Sequence, residues 1–334
     1  MYHGQVTRSA WRGAVLRLLV LAVIAACSGP IAAARGQGVR GARAAGEPTA
    51  ASGDLDATER RLYEAARRSP RSPAARAALG EWLASRGQLR SGAVLLEEAR
   101  LFGGDAPAIA ARLQHVYSWL RDWSSVAALP SSPLSAGEKR RAELLARRET
   151  RSSGADSTVV PFAPLEVGAL GRLPLVLGTD TVWAEVDPQE EGIILPGMGH
   201  GDGLIEILGD ERRGPLGVLR EVAMGDLTLR NIPVVIDATL GAGRARLGFD
   251  VFAQLAPTVD ARAGTVMLRR RGEAGERPGA TGVPFVLGFP GVRIASRAGE
   301  APVPIASPAG RAALRGQPWT VDLRRGVIWV DAAR

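Results

Sequence analysis

Cysteine occurs once in the 334 residues, as Cys27. That count excludes a disulfide framework, a Cys-rich zinc site and an iron–sulfur cluster. Histidine occurs three times, as His3, His115 and His200. Residues so scattered do not build a multi-histidine metal centre, and no metal or cofactor is expected. Lysine is nearly absent: Lys139 is the only one among 42 basic residues, which face 34 acidic ones. The net charge of +8 is thus an arginine charge interspersed with acids. No basic stripe with interleaved aromatics occurs, so no nucleic-acid partner is expected. The apolar run LLVLAVIAA at 18–26 has nine residues, whereas a bilayer span needs about 20. G-x-S-x-G, H-E-x-x-H and Walker A patterns are all missing.

What is present is ordinary globular composition, 46% hydrophobic and 23% charged. At about 150 residues per domain there is room for two folded units and a leader. Arg8, Arg12 and Arg17 precede the apolar run without an intervening acid, which is the pattern of a secretory signal. Two processing routes stay open. Ile24-Ala25-Ala26-Cys27 resembles a bacterial lipoprotein lipobox, which implies a signal over 1–26 and lipidation of Cys27, the one membrane contact expected. Ala32-Ala33-Ala34 offers a small-x-small cleavage site, with the signal over 1–34 and a soluble product. Either route places the product outside the cytoplasm, in the cell envelope or secreted. Residues 35–54, rich in Gly, Ala and Arg, form an expected tether.

From 55 to 150 Ala, Leu, Arg and Glu dominate and β-branched residues are few, which predicts helices. Leu79-Gly80, Leu83, Gly92, Leu96 and Ala99 recur at a 34-residue step as Leu62 and Ala65, with Pro70, and as Leu113 and Tyr117. The pattern resembles tetratricopeptide repeats, with Arg76 where the motif has Trp and Gly104 where it has Pro. The resemblance implies helical hairpins that meet closely at Gly80 and Gly92, and a protein-binding face. A generic helical bundle is the alternative. His115 falls in this region and is read as structural. Residues 130–160 hold one short charged helix and a Ser/Gly stretch, the expected domain boundary.

After Val159 short apolar runs alternate with Gly, Pro and Asp turns, which predicts an all-β unit. Residues 181–186 lead to Asp187, and a hydrophobic segment follows at 192–195. Residues 208–217 suit a hairpin tip. Gly225-Asp226-Leu227-Thr228-Leu229-Arg230-Asn231-Ile232-Pro233, then Leu247-Gly248-Phe249-Asp250, then Thr258-Val259-Asp260 complete the order. This succession, over 159–270, resembles the retropepsin-like aspartyl protease family. The resemblance implies an acid-protease-like barrel, Asp187 as the catalytic carboxylate, and a cleft edged by Pro188 and Gln189 below and by Arg212 and Arg213 of the flap above. Asp250 is expected to cap the short helix at 251–256. Gly178-Thr179-Asp180-Thr181 precedes the strand and reads as a hairpin turn.

The family carries Asp-Thr-Gly or Asp-Ser-Gly where this chain has Asp187-Pro188-Gln189. In an aspartic protease two carboxylates share a proton and activate a water. Pro188 offers neither hydroxyl nor N–H, and Gln189 adds a side chain where the family has none. Thr258-Val259-Asp260 and the following strand recur 62 places later at Thr320-Val321-Asp322. Pepsin-like proteins have two related lobes, each with one Asp. Between 271 and 319 the acids are Glu273, Glu276 and Glu300, none after an apolar strand. Residues 282–334 are therefore expected as a shrunken second lobe or a β extension without a catalytic acid. An active enzyme would be a homodimer with Asp187 from each chain. The Gly-rich loop 197–203, with His200 and Asp202, is expected as a surface loop.

The expected architecture is multidomain α plus β: tetratricopeptide-like hairpins, an acid-protease-like barrel and a C-terminal β extension. The expected function is that of an exported, catalytically degenerate protein that binds peptides or partner proteins. The alternative is a homodimeric aspartic endopeptidase.

Overall fold

The computed structural model describes residues 50–130, 133–165, 169–197, 203–211, 213–241, 244–275, 279–288, 291–294, 302–314 and 317–331. Cys27, the leader, most of the tether, the Gly-rich loop with His200 and Asp202, and Arg212 lie outside these residues.

Six helices come first: α1 (Ala50–Arg68), α2 (Pro73–Ser85), α3 (Leu89–Leu101), α4 (Ala106–Leu120), α5 (Trp123–Ala128) and α6 (Ala136–Arg147). Residues 50–54, expected in the tether, are already helical, in keeping with the high helix propensity of Ala50 and Ala51. Sequence signals set the later starts. Ser72 caps α2 through Ala75 N–H, and Asp105 caps α4 through Ala108 N–H. Ser135 and Glu138 form a reciprocal capping box on α6. Helices α2 and α3 form a hairpin whose closest approach is at Gly80 and Gly92. A Cβ on Gly92 would stand 2.7 Å from the Gly80 carbonyl oxygen. Small residues there allow Leu79, Leu83 and Leu96 to be buried.

The strands are β1 (Arg151–Gly154), β2 (Ser157–Pro161), β3 (Ala163–Pro164), β4 (Gly171–Leu177), β5 (Asp180–Asp187), β6 (Ile193–Leu195), β7 (Ile205–Glu211), β8 (Gly214–Met224) and β9 (Leu227–Ile236). They continue with β10 (Arg244–Gly248), β11 (Thr258–Asp260), β12 (Thr265–Arg269), β13 (Thr281–Leu287), β14 (Val292–Ile294), β15 (Val303–Pro304), β16 (Trp319–Asp322) and β17 (Val327–Val330). Two short helices intervene, α7 (Phe249–Ala253) and α8 (Pro308–Leu314).

The first sheet closes on itself. Its path β9-β6-β10-β5-β4-β8 returns to β9 through the β8–β9 pairing, so these strands form a barrel. Closure removes sheet edges and surrounds the fully buried Leu173, Ala184, Val186, Ile193 and Leu247. Gly178-Thr179 is the two-residue turn between β4 and β5, with Leu177 opposite Asp180, as the sequence predicted. Gly178 has φ +63°, the first-position glycine of a type II′ hairpin turn.

The second sheet runs β15-β14-β13-β17-β16-β11-β12-β2. Its centre is symmetric. Thr258 lies opposite Thr320, its counterpart 62 residues on, and their hydroxyls meet at 2.8 Å. Val259 lies opposite Trp319, while Val321 N–H bonds the Pro257 carbonyl. Both closing hairpins turn on a left-handed glycine, Gly264 at +65° and Gly326 at +63°. The strands flanking them also correspond. Val160-Pro161-Phe162 and Val283-Pro284-Phe285 pack on the two hairpins alike, and Phe162 and Phe285 donate their N–H groups to the Gly264 and Gly326 carbonyls. The segment 281–331 is therefore the other half of a local two-fold arrangement within one continuous sheet.

Helices and strands share one hydrophobic core, in which Leu96, Leu113 and Val116 are continuous with barrel residues. The described residues form one compact unit, in which helices and strands are packed together. Arg86 Nη1 donates to the Phe285 carbonyl at 2.6 Å, tying α2 to the C-terminal half.

Substituting Gly92→Val tests the helix contact. It is expected to lower the unfolding free energy by about 1–3 kcal/mol through overpacking. Urea denaturation checks this, and an unchanged midpoint would show that the helices do not meet there.

Candidate active site

Asp187 is the last residue of β5, paired in parallel with Gly248 at the end of β10. The chain then turns sharply. The Gln189 N–H donates to the Asp187 carboxylate at 2.9 Å, and the Glu190 N–H donates to the Asp187 carbonyl. Pro188 is buried and Gln189 exposed. Gly192, at φ +71°, brings the loop against Pro233, where a Cβ would stand 2.6 Å from the carbonyl oxygen.

The carboxylate of Asp187 faces arginine. Arg246 Nη1 lies 3.6 Å from it and 2.9 Å from Glu190. Glu190 is also bonded to Arg213 Nη1 at 2.6 Å. Arg213, between β7 and β8, is thereby tied to the loop that follows Asp187. Burial pushes the Asp187 carboxyl above the ordinary range. The Gln189 N–H and Arg246 oppose that shift, and the charge of Glu190 adds to it.

Asp250 is not the helix cap that the sequence predicted. Gly248 holds the cap position of α7, and Asp250 lies inside the first turn. Its carboxylate is buried, accepts the Gly192 N–H at 2.8 Å and pairs with Arg121 at 3.2 Å. Tertiary partners outcompeted the local cap because Gly192 and Arg121 both arrive at this position. Burial raises the Asp250 carboxyl, with Arg121 opposing. Arg121 is itself held in the left-handed region, at φ +57°, as the C-cap of α4.

The expected flap is the β7–β8 hairpin, and its outer face is covered. Helix α6 lies on it closely enough that a Cβ on Gly209 would stand 3.0 Å from Gly137 Cα. Leu208 and Val218 pack with Trp123, Val126 and Leu145 of α5 and α6. Arg148 forms an ion pair with Glu206. The helices thus clamp the hairpin.

Between α4–α6 and the loop after Asp187 lies a cleft of about 390 Å³, whose walls include Gln189, Glu190, Glu191, Arg213 and Arg141. His115, read as structural, joins this wall, with Nδ1 3.2 Å from Glu191. Asp187 itself lies outside the cleft lining. Sequence reasoning missed Glu190, Glu191, Arg246 and Arg121. Adjacency to Asp187 could have flagged the two glutamates, but Arg121 and Arg246 carry no sequence signal.

The symmetry of the second sheet locates the counterpart of Asp187. Arg172 lies opposite Ala163 and Glu185, and Arg293 opposite Val286 and Pro304. Pro304 then corresponds to Glu185, buried Ile305 to Val186, and Ala306 to Asp187. Ser307 follows, and its hydroxyl accepts the Gly310 N–H at the start of α8. Ala306, whose side chain is a methyl group, is thus the positional counterpart of Asp187. Among the described residues no group of three His, Cys, Asp or Glu comes together to hold a metal ion.

The raised carboxyl of Asp187 has a measurable consequence. An acid whose folded-state pKa is raised contributes stability at low pH and loses it as pH climbs through that value. Asp187→Asn should therefore gain in stability relative to the parent between about pH 4 and neutrality. Urea denaturation at both ends measures this, and a difference independent of pH would refute it. Glu190→Gln should move the Asp187 titration downward in an NMR experiment, and an upward shift would refute the assigned network.

No family model matches the chain, and no curated protein matches it. Among solved structures, the chain is similar to one described as the crystal structure of a retropepsin-like aspartic protease from Rickettsia conorii. The identity is 13%, the match covers 36% of this chain and 92% of that one, and the TM-score is 0.24.

Proposed function

We propose that this is an exported protein with a catalytically degenerate aspartyl-protease fold, which binds peptides or partner proteins in the cell envelope. The observation that carries the reading is the asymmetry of the two halves: Asp187 on one side faces Arg246, and Ala306 stands on the other. Aspartic catalysis needs two carboxylates that share one proton. A single carboxylate beside a guanidinium has no partner for that proton. The C-terminal segment acts in this reading as a shrunken second lobe. It occupies the two-fold position that a second chain would take in a homodimeric protease.

Binding would use the cleft between the helices and the loop 189–192, whose rim mixes Glu191, Arg141 and Arg213 with the apolar Val126 and Leu134. Such a lining suits an extended polypeptide with charged and apolar side chains. The helical hairpins, in the tetratricopeptide-like reading, add a second contact surface. Tyr63 and Val94 are exposed there beside a groove formed by α1, α2 and α3. A lipid at Cys27 would hold the protein at the membrane if the lipoprotein route is used.

Two measurements test this. Incubation with a diverse peptide mixture from pH 3 to 7 should give no cleavage that depends on Asp187, so the chain and Asp187→Asn should behave identically. Cleavage lost in the variant would overturn the reading. Sedimentation should give a monomer, whereas a dimer that dissociates together with loss of cleavage would establish the homodimeric endopeptidase.

A further inference from the structure

The helical part of the chain carries an apolar groove away from the Asp187 loop. Its walls include Tyr63 and Ala66 of α1 and Val94 and Leu95 of α3, and the buried Leu79 and Leu83 of α2 form its floor. Its volume is about 580 Å³. The side chains at its lip are open to solvent, Val94 at 58% and Tyr63 at 44% exposure. Leu101 follows Val94 by seven residues and so shares its face of α3. It is 68% exposed, so the apolar surface continues past the groove. Contiguous exposed apolar surface of this kind marks an interaction site more often than a bare surface.

The charge around the groove has one sign. Residues 57–102 hold nine arginines and five glutamates. All five acids are already engaged, four in ion pairs with arginines of α1–α4 and Glu59 with the Trp82 indole N–H. Arg60, Arg67, Arg71 and Arg90 are exposed and have no ion-pair partner among the described residues. Arg67 lines the groove, and Arg60 lies two turns before it on the same face of α1. Arg71 follows Pro70 at the end of the groove, and Arg90 stands one turn before Val94.

We propose that this groove docks an amphipathic helix of a partner protein, with apolar residues three and four apart against Tyr63, Leu79 and Val94 and acidic residues beside them against Arg67 and Arg90. The inference rests on the reading of the helical hairpins as a contact surface, and it names the chemistry of their partner. Walls and floor are all helices, whose backbone groups are bonded within each helix. An extended peptide would find no backbone partner there. A helix satisfies its own backbone and needs only side-chain contacts. A recess between two helices over a third also fits a rod better than a planar bilayer. The uncompensated arginines set the sign of the partner and steer its approach.

The test selects peptides from a displayed random library on the full chain, with Val94→Arg as the counter-selection. Val94 is largely exposed, so this variant should keep the parent circular dichroism spectrum; Arg67→Glu, also at an exposed position, is the second variant. Recovered peptides should combine the helical apolar spacing with Asp or Glu. A synthetic representative should bind the parent with a dissociation constant near or below about 10 μM and gain helical circular dichroism on binding. It should lose at least about tenfold in affinity to either variant, and added chloride should weaken it. Recovery of no peptide that distinguishes the parent from the variants, or of peptides that are basic or bind without becoming helical, would overturn the proposal. Phosphatidylglycerol vesicles that bind the parent but not Val94→Arg would assign the face to a membrane, and self-association lost in Val94→Arg would assign it to a second copy; either result would also overturn it. Peptides that ignore both variants but are lost on Glu191→Gln would sink the groove and leave the wider binding reading intact, whereas Asp187-dependent cleavage bears on that wider reading alone.

Discussion

The arrangement depends on one pairing, that of β11 with β16, where Thr258 meets its own counterpart Thr320. An antiparallel pair of equivalent strands generates a two-fold axis, and everything hydrogen-bonded outward from it inherits that axis. Here both sides belong to one chain. The other half of that arrangement is supplied by the described residues of 281–331. Among the described residues the C-terminal half holds the closing hairpin, its flanking strand and two short strands. The register of that half places Ala306 at the position related to Asp187.

The helices complete the structure through a buried charge. Asp250 receives the Gly192 N–H from the loop after Asp187 and Arg121 from the end of α4. A fully buried carboxylate is costly unless paired and hydrogen-bonded. Removing its partner typically costs about 3–5 kcal/mol, so this contact makes helical packing and loop geometry interdependent. The clamp of α6 on the β7–β8 hairpin works in the same direction. The hairpin is covered by Leu144 and Leu145 and tied by Arg213 to Glu190, so it is held as a fixed surface.

Much of the local structure was legible in the residues. Ser72, Asp105 and Ser135 announced helix starts, Gly178 a hairpin, and Gly80 with Gly92 a close helix contact. The Thr-Val-Asp repeat pointed to related hairpins, though not to their direct pairing. Asp250 misled, because a carboxylate at the start of a short helix ordinarily caps it. Its burial depends on Gly192 and Arg121, which are 58 and 129 residues away in the sequence. The shared core of helices and barrel was not legible either, because the apolar faces of α3 and α4 that join it meet strands distant in sequence.

The sequence by itself determined the order of helices and strands, the position of Asp187 at a strand end and the absence of a hydroxyl on the residue after it. These follow from periodicity, capping chemistry and the covalent nature of Pro188, which act over a few residues. Only the tertiary structure decided that Asp187 faces Arg246, that Ala306 stands at its two-fold counterpart, and that Asp250 is buried against Arg121 and the Gly192 N–H. Those outcomes depend on strand register and on which distant side chains share a desolvated space. No local pattern encodes them, because the energy of a buried charge is set by neighbours that only folding brings together.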